Sequence, residues 1–326
     1  MVEKLYEKIA ATLMERIEKG FYTAGHKLPS IRVLAGEYQV SISTAQEAYR
    51  LLEERGYSEV RPKSGHFVKP RVDVNQPKLP TPDQFPVKVS LWDKVLTMLS
   101  AEETTNQFNL GWAVPDLEAQ TLKPLLKSMS QLNRNADIRL LGYDRVNGCA
   151  ALRTQVARLA VESGCQLSPD EIIITSGCQE ALSCALRAVT EPGDVVAIDS
   201  PCYFGAAQTI EVCGLKALEI PTHPETGISI EALELALEQW PIKAIAITPT
   251  CNNPLGYTVP DEHKARIVEL CNKYDIALIE DDIYGDLSFQ YPRPRTVKSF
   301  DTQGRVILCS SFSKTLAPGF RVGWLI

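Results

Sequence analysis

Leu5, Ile9, Leu13 and Ile17 recur every fourth position, which lays them along one face of a helix that Gly20 closes. A turn through Gly25 and Pro29 leads to Ser30, a residue suited to cap a short helix over Ile31–Tyr38. A third helix is predicted to start near Ser43, because Ser43 and Gln46 have the spacing of a capping box; Tyr49 and Leu52 fall on its inner face. Ser58–Arg61 and His66–Lys69 alternate as short strands around Pro62-Lys-Ser-Gly65. Three helices and a small hairpin make a winged helix-turn-helix.

From Pro70 to about Ser90 the periodicity fades, with prolines at 70, 77, 80, 82 and 86. Proline donates no backbone hydrogen bond and favours extended chain, so this stretch reads as a semi-rigid linker, with an irregular domain edge as the alternative. Beyond it, apolar runs alternate with helical stretches. The runs are 171–175, 194–198, 215–220, 243–248, 276–280 and 305–310; helices are predicted over 178–190, 229–239 and 261–273. Buried runs alternating with helices imply an α/β domain on a mostly parallel sheet. Ligands of such sheets sit beyond the carboxyl ends of the strands.

Composition narrows the partners. Residues 1–70 carry 11 Lys and Arg against 9 Glu, and the remainder carries 23 basic against 31 acidic residues. A mildly basic head on an acidic body permits a nucleic-acid contact without requiring one. No apolar run approaches the ~20 residues that cross a bilayer, and the amino terminus lacks the order of a secretory signal, so the chain reads as cytoplasmic. The nine cysteines and four histidines show no zinc-like spacing, and reduced thiols are the expectation.

The candidate chemistry falls at strand ends. Lys314 follows the run ending at Ser310, in Ser310-Ser-Phe-Ser-Lys314; by itself such a lysine is better read as a surface residue. Asp281-Asp-Ile-Tyr284 follows another run, and a carboxylate there suits a protonated pyridine nitrogen. Three adjacent carboxylates, Glu280 to Asp282, are not expected all to be buried and ionised, and the Asp-x-x-Tyr spacing singles out Asp281. Asn252-Asn-Pro-Leu-Gly256 reads first as a turn, although an asparagine held there can donate to a ring oxygen. Ser176-Gly-Cys-Gln179 ends a strand and opens a helix, where free amides suit a phosphate; Ser311 and Arg321, the latter seven residues after Lys314, are candidates to complete the cup.

In this order, these segments resemble fold-type I enzymes of the aspartate aminotransferase superfamily, which use pyridoxal 5'-phosphate (PLP), over about residues 105–326. The resemblance implies that Lys314 forms an internal aldimine with PLP, Asp281 pairs with the pyridine nitrogen, and Asn253 and Tyr284 contact the ring oxygen. It places Tyr203 as a ring stacked on the pyridine and gives the phosphate to Ser176, Gly177, Cys178, Gln179, Ser311 and Arg321. Tyr143, in Leu-Gly-Tyr-Asp-Arg-Val-Asn-Gly148, matches a tyrosine that reaches the cofactor of a neighbouring subunit, which implies a homodimer.

Residues 1–70 resemble the GntR-type winged helix-turn-helix through Lys27-Leu-Pro-Ser-Ile-Arg-Val-Leu-Ala35 and Gly65-His-Phe-Val68. Double-stranded DNA is then the implied partner. Arg32 faces it from the supporting helix; Ser41, Ser43, Thr44 and Gln46 face it from the recognition helix; Lys63, Ser64, Gly65 and His66 face it from the wing tip. Many such heads carry arginines where this chain has Ile42 and Gln46, so a weaker or differently specified base readout is implied. A winged helix serving protein contacts alone is the alternative. Head, linker (71–104) and body together resemble the MocR subfamily of regulators, in which the body senses PLP, alone or with an amine or amino-acid ligand. An aminotransferase that carries a DNA-binding head, and a degenerate body without ligand, are the competing readings. Fold-type I bodies continue well past the position of Ile326, into a small domain with a carboxylate-binding arginine, so the sequence is expected to be a fragment or a shortened protein.

Overall fold

The computed structural model describes residues 4–62, 64–70, 85–89, 113–134 and 142–326; Lys63, assigned to the wing tip, lies outside them. The chain divides into two compact units, Met1–Lys78 and Leu79–Ile326.

In the first unit, α1 (Leu5–Glu18), α2 (Ile31–Glu37) and α3 (Ile42–Glu54) precede a hairpin of β1 (Ser58–Arg61) and β2 (Gly65–Val68), which pair antiparallel from Ser58–Val68 to Arg61–Gly65. Ser30 caps α2 by accepting the Val33 amide. The predicted capping box at Ser43 is not the one that forms. Ser41 is the cap of α3, its hydroxyl accepting the Thr44 amide at 3.1 Å, and Ser43 lies inside the first turn. Both serines offer a suitable oxygen, but only Ser41 has the extended backbone a cap requires. Ile9, Leu13, Leu34, Ala45, Ala48, Tyr49, Leu52 and Val68 close into one buried cluster, so the hairpin contributes a side chain to the helical core.

The second unit carries a nine-stranded sheet. In chain order its elements are β3 (Val87–Lys88), α4 (Lys123–Arg134), α5 (Ala150–Glu162), β4 (Ile173–Thr175), α6 (Cys178–Val189), β5 (Val195–Ser200), α7 (Phe204–Val212), β6 (Lys216–His223), β7 (Gly227–Ile228), α8 (Ile230–Gln239), β8 (Ile242–Ile247), α9 (Asp261–Tyr274), β9 (Ala277–Asp281), β10 (Val306–Ser311) and β11 (Gly323–Leu325). The order across the sheet is β3-β6-β5-β8-β9-β10-β11-β4, with β7 paired to β6. Neighbours from β6 to β10 run parallel, whereas β3 and β11 run antiparallel to theirs.

Within the stretch read as linker, Val87–Lys88 is thus an edge strand on Lys216–Ala217. The inner parallel strands β5, β8, β9 and β10 are buried almost throughout, and β5 is covered at all six positions. One side of the sheet packs Leu233, Ala236, Ile267, Val268 and Cys271 from α8 and α9, and the other packs Ala181, Leu182, Ala185 and Leu186 from α6. Covering both faces explains why the strands are continuous apolar runs instead of alternating ones. Ser200, Asp281 and Ser311 close β5, β9 and β10, and the loops that follow these parallel strands carry the candidate chemistry.

All nine cysteines are free thiols, four of them buried. Among the described residues no helix is long and apolar enough to cross a membrane.

Candidate functional site

The body's strand-end loops converge on a cavity of about 500 Å³. It is lined by Cys178 and Gln179 from α6, Tyr203, Asn253, Asp281 and Tyr284, and Ser313, Lys314 and Arg321. Residues scattered over more than a hundred positions thus meet in one pocket because parallel strands deliver their following loops to the same edge.

Asp281 is the buried floor of the pocket, 6% exposed. Its Oδ1 accepts the Cys178 thiol at 3.3 Å and the Ile283 amide at 3.2 Å. Burial raises its pKa to about 6, against the pull of those two donors. Among the described residues no cation forms an ion pair with this carboxylate, so a protonated ring nitrogen would supply the partner that burial calls for. Lys314 donates from Nζ to the Ala113 carbonyl at 2.7 Å. Partial burial lowers its ammonium below the ordinary lysine range, opposed by the charge of Asp281. A lysine whose ammonium is made easier to deprotonate is suited to covalent attachment to a carbonyl.

Asn253 donates its side-chain amide to the Tyr284 hydroxyl oxygen at 3.2 Å, which leaves that hydroxyl's own proton for an acceptor in the pocket. Asn252 holds this loop from behind. It donates to Asp199 Oδ2 at 2.7 Å and accepts the Leu255 amide at 3.1 Å, and Tyr257 donates to the same Asp199 oxygen at 2.8 Å. Asp199 is buried at the end of β5, and burial raises its pKa to about 7. It therefore ties the loop bearing Asn253 to the strand end that leads into Tyr203. Tyr203 is largely buried, which pushes its phenol up to about 12.

At the other end of the pocket, Arg321 donates to the Ser176 carbonyl at 3.2 Å and to Ser313 Oγ at 3.4 Å. Gly177 has φ of +98°, and a Cβ there would lie 2.4 Å from the Arg321 guanidinium, so only glycine admits this approach. The amides of Cys178 and Gln179, in the first turn of α6, have no carbonyl of their own helix to reach. Free amides, a hydroxyl and a guanidinium around a glycine cradle fit a phosphate. The residues present therefore fit PLP: Lys314 for attachment, Asp281 for the ring nitrogen, Asn253 and Tyr284 for the ring oxygen, and the Gly177–Arg321 end for the phosphate.

Four expected members do not line the cavity: Gly177, which lies against the Arg321 guanidinium, and Ser311, Ser176 and Tyr143. Ser311 is buried at the end of β10, with its hydroxyl accepting the Ser313 amide; the turn lifts Ser313, not Ser311, to the pocket wall. Ser176 does not line the cavity, since its amide donates to Glu180 and its carbonyl accepts Arg321. Tyr143 stands fully exposed, outside the pocket. Sequence reasoning missed Ser313, Asp199 and the Cys178 thiol. Only Ser313 was legible, as a hydroxyl one position before Lys314; the other two depend on which side chains a strand end turns inward.

The three consecutive carboxylates are all buried, and burial raises the pKa of each, which opposes their being ionised together. Alternation along β9 separates Asp281 from its neighbours. Glu280 accepts the Val297 and Lys298 amides at 2.8 and 2.9 Å, and burial still raises its pKa to about 8. Asp282 is held by Arg293 at 2.5 Å.

In the head, Arg32, Ser41, Ser43, Gln46, Ser64 and Gly65 are exposed and Thr44 is partly so. His66 is not at the wing tip's surface. Its ring stacks on Tyr49 at 4.1 Å, and burial lowers its pKa.

A winged helix-turn-helix head and a sheet whose strand ends form a cofactor-shaped pocket define a two-part protein of the regulator class. Residues 105–326 match the model of aminotransferase class I and II, and residues 5–68 match that of bacterial regulatory proteins of the gntR family. The chain belongs to the family of GntR- and MocR-like transcription regulators with an aminotransferase-like domain.

It is 50% identical to the HTH-type transcriptional regulator YjiR of Escherichia coli K12, over 98% of this chain and 68% of that one. Similarity to the probable rhizopine catabolism regulatory protein MocR of Rhizobium meliloti is 26%, over 100% of this chain and 65% of that one. Among solved structures, a kynurenine aminotransferase of Pyrococcus horikoshii superposes with a TM-score of 0.65 at 31% identity, covering 71% of this chain and 58% of that one. The chain therefore spans about three-fifths of that aminotransferase's length. The class I and II aminotransferase fold family is PLP-dependent.

Proposed function

We propose that this chain is a cytoplasmic, DNA-binding transcription regulator whose body binds PLP through Lys314 and responds to it, alone or with an amine or amino acid. The observation that carries the reading is the meeting of Lys314, Asp281 and the Asn253–Tyr284 pair in one pocket opposite the Gly177–Arg321 cradle. When bound, PLP supplies an electron-withdrawing ring. The chain's own groups do the holding: Asp281 fixes the ring nitrogen, Tyr203 covers the ring, Asn253 and Tyr284 orient its oxygen, and Arg321 neutralises the phosphate. A ligand moves DNA binding only by its differential affinity for two states of the protein. Fully exposed Tyr143 is consistent with a homodimer in which this ring meets the partner's pocket.

The test combines borohydride reduction, with peptide mapping of the labelled lysine, and footprinting of the DNA upstream of the gene with and without PLP. Label on Lys314 and a PLP-dependent footprint support the reading. The intact pocket also suits an aminotransferase with a DNA-binding head. Sustained keto-acid formation from an amino acid, with no footprint, selects that second reading.

A further inference from the structure

The surface of α3 restricts which bases a duplex can offer it. The helix buries Ala45, Ala48, Tyr49 and Leu52 and turns Ile42, Ser43, Gln46 and Arg50 to solvent. Ile42 is 52% exposed, in the first position of the helix. Gln46 lies one turn on, about 6 Å along the same stripe. The hydroxyls of Ser43 and Thr44 both lie 2.8 Å from that of Ser41, so all three are occupied at the cap. Arg50, the single basic residue of the helix, is bonded to Glu47 at 2.9 Å and also to Glu54. Exposed ion pairs are weak and would not alone restrain it. Its position does: it lies two turns from the amino-terminal end that a recognition helix presents to base edges, among carboxylates that phosphates repel.

We infer that the recognition helix selects A·T pairs, with Ile42 packing on the C5-methyl group of a thymine and Gln46 bonding the N6 and N7 edge of a neighbouring adenine. The inference rests on the DNA-binding reading of the head and adds the base class it reads. An exposed aliphatic side chain has one attractive feature to meet in the major groove, the thymine methyl. A glutamine amide matches adenine's donor and acceptor, whereas bidentate recognition of guanine needs an arginine or lysine, which the first two turns lack. Arg32, exposed on α2 and without an ion-pair partner among the described residues, serves the phosphate backbone.

The experiment is selection of duplexes from a randomised library by the full chain, followed by fluorescence anisotropy on the winning sequence. A·T pairs are expected at the two contacted positions. Replacing the contacted thymine by deoxyuridine removes only the methyl group; it weakens wild type severalfold and leaves Ile42→Ala unchanged. Exchanging the contacted A·T for G·C weakens wild type roughly tenfold or more, and Gln46→Arg moves the preference toward guanine. Both side chains are solvent-facing, so these variants keep the core intact. Arg32→Ala weakens all duplexes alike and lowers the salt slope by about one.

Guanine at the selected positions, or deoxyuridine and G·C duplexes bound within about twofold of the parent, overturns the inference and leaves DNA binding standing. Duplex binding with no sequence preference overturns the inference and the operator-specific part of the regulator reading together.

Discussion

The two units place their working chemistry in opposite surroundings. In the head, Arg32, Ser41, Ser43, Gln46 and Ser64, proposed to face DNA, are exposed, and the nearby ion pairs Arg50–Glu47, Arg61–Glu59 and Lys19–Glu15 are exposed as well. In the body, Asp199, Glu280, Asp281 and Asp282 are all buried, and each is held by donors from a different strand end or loop. The head's surface is thus open to change in specificity without loss of fold. The body's site is bound up with its core, where an unsatisfied charge costs several kcal/mol and cannot be altered alone.

The sharpest way to break this contrast is at Lys314. Lys314→Ala abolishes borohydride-trapped cofactor, read by mass spectrometry, while the head's melting is unmoved. Leu52→Ala is the counterpart in the head. Removing a fully buried leucine lowers the head's stability by about 2–5 kcal/mol in denaturant unfolding and leaves PLP binding intact. If PLP affinity falls with it, the two units do not fold independently.

Asp199 sharpens the comparison through pH. Burial raises its folded pKa to about 7 from the ordinary 3.8, so its contribution to stability is fully present below pH 4 and is lost as pH rises through 7. Asp199→Asn therefore removes a fall in body stability on the order of 4 kcal/mol over that window, seen as a flatter dependence of the unfolding midpoint on pH. Asp281→Asn is expected to weaken PLP by about 10- to 150-fold, the worth of one charge-assisted hydrogen bond, measured by equilibrium titration of cofactor absorbance. The smallest effect is at the thiol. Cys178→Ala removes one donor from Asp281, weakening PLP by up to about tenfold and raising the pH at which the bound cofactor's absorbance changes with Asp281 ionisation.

What could be read from the sequence follows the length and regularity of each signal. The long apolar runs at 194–198, 243–248 and 276–280 marked strands because a sheet covered on both faces needs them. β11 has three residues, too few for a period to show, and α7 carries apolar residues around most of its circumference. Lys314, Asp281, Asn253 and Tyr284 became legible only together, as short strand-end segments in the order that resembles fold-type I enzymes. Ser311 and His66 were misplaced by a matter of facing: each lies in the right segment, but the strand turns one under the turn and the other against Tyr49. The burial of all three carboxylates was hidden because the partners of Glu280 and Asp282, the 297–298 amides and Arg293, come from later in the chain.

Linkage between the two units is the central claim, and reciprocity gives its most direct measurement. PLP affinity is determined by titration with and without the selected operator duplex, and operator affinity with and without saturating PLP, for wild type and Lys314→Ala. The regulator account predicts the same factor in both wild-type directions, about 5- to 150-fold, and no operator shift with PLP in the variant. Equal affinities in all wild-type titrations would contradict it and leave a cofactor-binding body and a DNA-binding head that do not communicate.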